Sequence, residues 1–495
     1  MYSSLRFSTI FLTILLFSCE AKKEVKFVQS MREQFRPDYH FTPDKGWMND
    51  PNGMFFLDGE YHLFFQHYPD TTVWGPMHWG HAVSRDLLTW EELPIALYPD
   101  SLGYIFSGSA VVDSENSSGL GSADNPPIVA IFTYHDMAGE RAGTSDFQSQ
   151  GIAFSTDKGR TWTKYDGNPV LPNQGVRDFR DPKVSQITNS QGEREWVMTL
   201  AAQDRVQFYS SKDLKSWTNI GEFGTGIGAH GGVWECPDLV KIPAPDGSEK
   251  WVLLVSINPG GPQRGSATQY FIGDFKDGTF TPDDTMIRWL DYGPDNYAGV
   301  TWSNLPTSDD RTLFIGWMSN WHYAQVVPTH PWRSATTVPR ELSLFDIDGV
   351  LLVKSSPAKE LAKLRQTAVQ ADEITNLASQ GVEIEVELDG SDNFSLTLSN
   401  EVGEKVAIIK EMGLVSVDRS QAGKSDFHPD FAAMHSAPMS WRANSLNIFL
   451  DASSIELFVN SGELVMTSLL FPSSPWKKLE LQQGIGKVKV YTLDR

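Results

Sequence analysis

Ser155-Thr156-Asp157-Lys158-Gly159-Arg160-Thr161-Trp162 decides the fold, because its cadence returns on both sides. Upstream stands Ser84-Arg85-Asp86 with Trp90, and downstream Ser211-Lys212-Asp213 with Trp217, each between two strand-like runs. The three tryptophans lie 72 and then 55 residues apart, too far for one hairpin and suited to four-stranded propeller blades with variable loops. Around these turns, residues 40–350 read as short strands broken by Gly, Pro, Asp and Asn. Gly53-Met54-Phe55-Phe56-Leu57, the turn Asp58-Gly59 and Tyr61-His62-Leu63-Phe64-Phe65 form a hairpin. About five blades fill the region. A large β-sandwich is the competing architecture, but repeated polar, Trp-bearing turns favour the propeller.

The texture changes after Pro357. Ala358-Lys359-Glu360-Leu361-Ala362-Lys363-Leu364 is made of good helix formers. Beyond it, Val382-Glu383-Ile384-Glu385-Val386-Glu387-Leu388 alternates strictly, and 446–459 holds two strand-like runs broken at Asp451-Ala452-Ser453-Ser454. The expectation is an all-β chain: a five-bladed β-propeller over 33–350, a linker helix over 357–373 and a C-terminal β-sandwich over 376–495.

With 495 residues the chain exceeds the usual size of a single core, and a hydrophobic content of 40% suits a globular body. Acidic residues outnumber basic ones, 62 to 41, for a net charge of -21. That balance repels phosphates and anionic membrane surfaces, so nucleic acid is excluded and a neutral partner favoured. Sixteen tryptophans and fourteen tyrosines permit stacking on sugar rings, although core packing accounts for most of them.

At the N-terminus, Met1 to Arg6 carries one positive charge and Phe7 to Phe17 is apolar, ending at Ser18-Cys19. This pattern reads as an export signal. Leu16-Phe17-Ser18-Cys19 is similar to a bacterial lipobox, so residues 1–19 are expected to be a lipoprotein signal peptide. Cys19 would then be lipidated and would tether the exported protein to a membrane by acyl chains alone. The only other cysteine is Cys236, which leaves no intrachain disulfide in the exported protein.

Three acids stand in placed settings. Asp50 lies in Trp47-Met48-Asn49-Asp50-Pro51-Asn52-Gly53, a tight turn that could hold a nucleophile rigidly or could simply be a turn with a capping Asp. Asp181, in Arg180-Asp181-Pro182, alone reads equally as half of a surface ion pair. Glu235, between Trp234 and Cys236, has apolar neighbours that would disfavour ionisation and suit a general acid; a solvent-facing strand glutamate is the even alternative. Glycoside hydrolysis with retention needs such a pair, one carboxylate to attack and one acid to protonate the leaving oxygen.

These residues resemble glycoside hydrolase family 32 over nearly the whole chain after the export segment. The likeness starts at Phe35-Arg36-Pro37-Asp38-Tyr39-His40-Phe41-Thr42-Pro43 and the run from Trp47 to Gly53. It continues through Phe106-Ser107-Gly108-Ser109-Ala110, Arg180-Asp181-Pro182, Glu235-Cys236-Pro237-Asp238 and Gly316-Trp317-Met318-Ser319-Asn320-Trp321, in the family's order. The resemblance implies a five-bladed propeller with a β-sandwich and cleavage of β-fructofuranosyl bonds in levan, inulin or sucrose, by exo attack. It makes Asp50 the nucleophile, Glu235 the acid and then base, and Asp181 the carboxylate that grips fructose hydroxyls. Asn49, Gln66, Trp74, Phe106, Ser107, Arg180 and Trp317 would line the sugar subsite. His67 and Asn296 stand where the family more often has aromatics, so the resemblance does not fix specificity on the leaving-group side. Val417-Asp418-Arg419-Ser420 and Ile455-Glu456-Leu457-Phe458-Val459-Asn460 resemble the family's sandwich strands.

Other signals are weaker. The Ser155–Trp162 turn resembles the Asp-box of sialidases, which leaves a sialidase-like hydrolase as an alternative, and a lipid-anchored fructan-binding protein without catalysis is another. Gly224-Thr225-Gly226-Ile227-Gly228 lacks the lysine and strand-to-helix setting of a phosphate loop. His78 and His81 have no further ligand set, so no metal and no cofactor are expected. The expected partner is a fructan or fructo-oligosaccharide, with membrane contact only through the lipid anchor.

Overall fold

A computed structural model describes residues 33–371, 374–377 and 381–494. The export segment 1–19 and Cys19 lie outside them. Five sheets of four or five strands make the propeller. Their first strands are Gly46–Leu57, Tyr104–Val112, Phe179–Thr188, Val233–Pro243 and Tyr297–Thr301. Each of these contacts the next in order and the fifth contacts the first, so they form the inner ring. The ring is closed by the short strand Trp332–Arg333, which runs parallel to the first, pairing Gly46 with Trp332 and Trp47 with Arg333.

The repeated turn joins the third and fourth strands of blades 1, 2 and 3. In each, a serine hydroxyl bonds the aspartate two residues on (Ser84–Asp86, Ser155–Asp157, Ser211–Asp213). That carboxylate accepts backbone N–H groups of the turn, as Asp86 does from Leu88 and Thr89. The following tryptophan indole donates back to the turn: Trp90 to Leu87 O, Trp162 to Gly159 O and Trp217 to Leu214 O. The motif is therefore a structural clasp of the blade, not a site, which removes the basis of the sialidase-like alternative.

The sandwich consists of two six-stranded sheets facing each other over an aliphatic core that includes Ile384, Leu396, Ile408, Ile448 and Leu457. The helix expected over 357–373 is corrected here. Among the described residues of that stretch only Lys359–Leu364 is helical, as a 3-10 turn, and Arg365–Gln370 is already a strand paired with Ile485–Leu493. Local propensity favours helix, but the ladder offered by the last strand outweighs a difference of a few tenths of a kcal/mol per residue.

Buried charges join the two domains. His40 Nδ1 meets Asp451 at 2.7 Å and Nε2 meets Glu456 at 2.8 Å, all with fully buried side chains. Burial alone would depress the imidazole, but hydrogen bonds to both carboxylates raise it from 6.5 to about 9. This group's stabilisation is thus complete below pH 6.5 and is lost as pH climbs through about 9. Denaturation midpoints between pH 6 and 10 should fall with rising pH in the native chain, and His40→Gln should flatten that slope. An equal slope in the variant would refute the assignment.

Candidate active site

Every inner strand is bulged where a site residue stands. Register breaks fall between Met48 and Pro51, Ile105 and Gly108, Glu235 and Asp238, and Tyr297 and Val300, and blade 3 breaks opposite Thr199–Ala201. Asp181, Cys236 and Ala298 adopt positive φ of 63°, 46° and 52°. A bulge re-aims side chains that the pleat would otherwise send into a neighbouring blade. Gly53 lies in a second register break of the first strand, between Asn52 and Phe55, at φ 58°, and a Cβ there would stand 2.6 Å from the Trp79 ring.

The bulges bring Asp50, Asp181 and Glu235 into one cavity of about 270 Å³. Asp50 Oδ2 accepts from the Ser107 hydroxyl at 2.7 Å and Oδ1 from Asn49 Nδ2 at 2.9 Å. The Trp47 indole donates to Asn49 Oδ1 at 2.7 Å, which fixes the amide so that its nitrogen faces Asp50. Burial, and then the charge of Glu235, push Asp50 above its usual range, while the bonds from Asn49 and Ser107 pull it back.

Asp181 Oδ2 accepts the Cys236 backbone N–H at 3.0 Å, and the Cys236 thiol lies 3.5 Å from Asp50 and 3.6 Å from Asp181. Burial raises Asp181, Arg180 opposes that rise, and Glu235 and Asp50 reinforce it. The thiol is itself raised by burial and by these acids, so it stays protonated as a small neutral spacer between two carboxylates.

Glu235 differs from its expected apolar setting. Strand alternation buries Trp234 and Cys236 and turns Glu235 into the pocket with 20% of its side chain exposed. Its Oε1 accepts from Arg180 Nη2 at 2.9 Å and Nε at 3.2 Å, and its Oε2 accepts from the Tyr297 hydroxyl. Burial and the Glu235 charge raise Tyr297, which keeps that phenol a donor. Arg180 also donates to Asp178 at 2.8 Å and to Gln148 at 3.4 Å, so one guanidinium serves an otherwise acidic cavity.

Asn49, Gln66, Trp74, Phe106, Ser107 and Arg180 line the cavity with the three acids. Gln66 Nε2 is buried and has no partner, a donor left for a ligand. Trp317 is the exception. It is fully buried, 5.0 Å from Trp321 and 6.1 Å from Trp47 between ring centroids, and backs the wall that Trp321 itself forms. Strand Thr312–Met318 is buried from Leu313 onward, whereas Trp321 lies just beyond its end, a difference that strand length could have signalled.

His67 and Asn296 sit behind the cavity. His67 donates from Nδ1 to Trp47 O at 2.8 Å, and Asn296 donates to Asp291 at 3.2 Å. Both are buried supports that do not line the cavity. No local motif marked Tyr297, His135, Glu140, Gln148, Asp178 or Gln325 as neighbours of this site. Among the described residues, no group of three His, Cys, Asp or Glu side chains is set to hold a metal ion.

Known proteins match this chain across both domains. The model of the glycosyl hydrolases family 32 N-terminal domain matches residues 40–355, and that of the family's C terminal matches residues 352–494. A levanase of Bacillus subtilis (strain 168) is 48% identical over 486 residues, covering 93% of this chain and 70% of that protein. An extracellular exo-inulinase of Aspergillus awamori is 39% identical over 491 residues, covering 89% and 90%. A crystal structure of exo-inulinase from Aspergillus awamori superposes with a TM-score of 0.84 over 93% of this chain and 99% of that one, at 34% identity. Since the family models together span both the bulged ring and the sandwich behind it, this chain belongs to glycosyl hydrolase family 32 and is a β-fructosidase of the levanase, inulinase and invertase type.

Proposed function

We propose that the protein releases fructose from the ends of fructan chains with retention, Asp50 acting as nucleophile and Glu235 as acid and then base. The observation that carries this reading is the Asp50 carboxylate, held by Ser107 and Asn49 in a cavity walled by side chains from four blades and by Trp321. Such a pocket suits a chain end better than a chain interior. In the first step Asp50 bonds to the anomeric carbon, the glycosidic C–O bond breaks, and Glu235 passes its proton to the leaving oxygen. In the second, Glu235 takes a proton from water, the water oxygen displaces Asp50, and fructose departs. Asp181 and Gln66 Nε2 suit fructose hydroxyls as acceptor and donor, and Trp321 offers a ring face.

Chromatography after incubation with levan, inulin and sucrose, with Asp50→Ala in parallel, tests the proposal. Fructose alone, absent in the variant, supports it; a ladder of oligosaccharides means endo cleavage, and no product from any substrate restores the binding-protein reading. Ser107→Ala removes a hydrogen bond to the ionised form of Asp50, so the acid limb of kcat/KM should move up by about one to two pH units. An unmoved limb would count against Asp50 as the titrating nucleophile.

Export and a lipid on Cys19 belong to the same proposal, supported by the sequence of residues 1–19. Cys19→Ser should shift the protein from the membrane fraction to the soluble one, and an unchanged distribution would reject the anchor.

A further inference from the structure

The Val417-Asp418-Arg419-Ser420 motif lies in the sandwich, outside the catalytic cavity, and its arginine is the feature that asks for an explanation. Arg419 has no exposed side-chain surface. Its Nη1 donates to Asp295 Oδ2 at 2.6 Å, Nη2 to the Tyr323 hydroxyl at 2.9 Å and Nε to Phe431 O at 2.8 Å. The Tyr323 hydroxyl in turn donates to Asp295 Oδ1, and the Leu469 N–H meets Asp295 Oδ2 at 2.8 Å. A buried ion pair is a poor source of net stability, because desolvation offsets most of its attraction; its best-attested use is to fix register.

What is registered here leads to the cavity along two routes. Asp295 stands two residues before Tyr297, whose hydroxyl donates to Glu235. Tyr323 stands between Trp321 and Gln325, both of which line the cavity, and its own ring packs on Phe431 of the sandwich at 5.2 Å. Backbone bonds from Tyr323 and Ala324 to Asn320 O make this stretch a tight turn, so moving Tyr323 moves Trp321. One guanidinium from the second domain thus holds both segments.

We propose that Arg419 is a positioning residue of the active site, setting Tyr297 against Glu235 and the Trp321 wall against the fructosyl ring. The proposal rests on the fructosidase reading above. The sandwich therefore supplies part of the alignment for catalysis although none of its described side chains lines the cavity.

Two mild variants test it. Arg419→Lys keeps a cation for Asp295 but loses the fork that also reaches Tyr323, and Tyr323→Phe keeps the ring on Phe431 and deletes only the hydroxyl. Arg419→Ala is avoided because it strands the Asp295 charge in the interior. Thermal midpoints are measured first, and kinetics are then run well below them on a fructan and on an aryl β-fructofuranoside, whose leaving group needs little protonation. Arg419→Lys should lower kcat/KM on the fructan by about 10- to 100-fold, as small misplacements do. The loss should be roughly tenfold smaller on the aryl substrate, since the acid step is the one misaligned. Tyr323→Phe should raise KM several-fold with less effect on kcat. Folded variants with native kinetics on both substrates and only a lowered midpoint would overturn the proposal. An unaltered protein that releases no fructose would instead sink the fructosidase reading, and this proposal with it.

Discussion

Asp50→Asn is expected to lower turnover by a factor on the order of 10⁴ to 10⁶ while making the fold more stable at neutral pH. The loss follows from the absence of a carboxylate that can bond to the anomeric carbon; the amide can keep the Ser107 and Asn49 contacts, so binding should survive. The gain follows from the raised ionisation of Asp50, caused first by burial and then by Glu235. A carboxyl whose folded pKa exceeds its unfolded one binds its proton more tightly in the native state, so its charge costs stability once pH rises through the folded value. The amide carries no such cost. The midpoint advantage of Asp50→Asn should be clear at pH 7 and should shrink toward pH 4. Residual activity above about a hundredth of native would exclude Asp50 as nucleophile.

Glu235→Gln should have the second largest effect, cutting turnover of fructans by about 10² to 10⁴, the usual worth of a positioned general acid. The carboxamide cannot give up a proton, yet it can retain contacts with Arg180 and Tyr297, so KM should change little. Turnover of an aryl β-fructofuranoside should fall much less in its first step, because the phenolate leaves without help. Azide, a nucleophile that needs no base, should then accelerate release from the stalled intermediate and give a fructosyl azide. Equal losses on both substrates, with no response to azide, would remove Glu235 from the acid and base role.

The propeller was legible because its clasp is local: serine, aspartate and tryptophan satisfy one another within a single turn, and three copies stand in the chain. The three acids were picked out by resemblance to the family, because each short run alone read equally well as a capped turn, a surface ion pair or a solvent-facing strand. Less could be read where distant partners decide. Tyr297 reaches Glu235 from another blade, and no spacing announces that meeting. Two tryptophans four residues apart, Trp317 and Trp321, share one motif, and only the end of the strand separates the buried one from the one that faces the cavity. The stretch after Pro357 failed oppositely, since its helix-forming composition was clear but the last strand of the chain claimed half of it.

The parallel pairing of Trp332 and Arg333 with Gly46 and Trp47 has a consequence for how activity arrives during synthesis. The strand that bears Asp50 is made early, yet the strand on its other edge, Trp332–Arg333, is among the last parts of the propeller to be made. A growing chain can therefore lay down four blades in turn and still hold no finished pocket. Competence should come as a single late step rather than gradually, and fragments ending before that closing strand should be silent however well their blades fold.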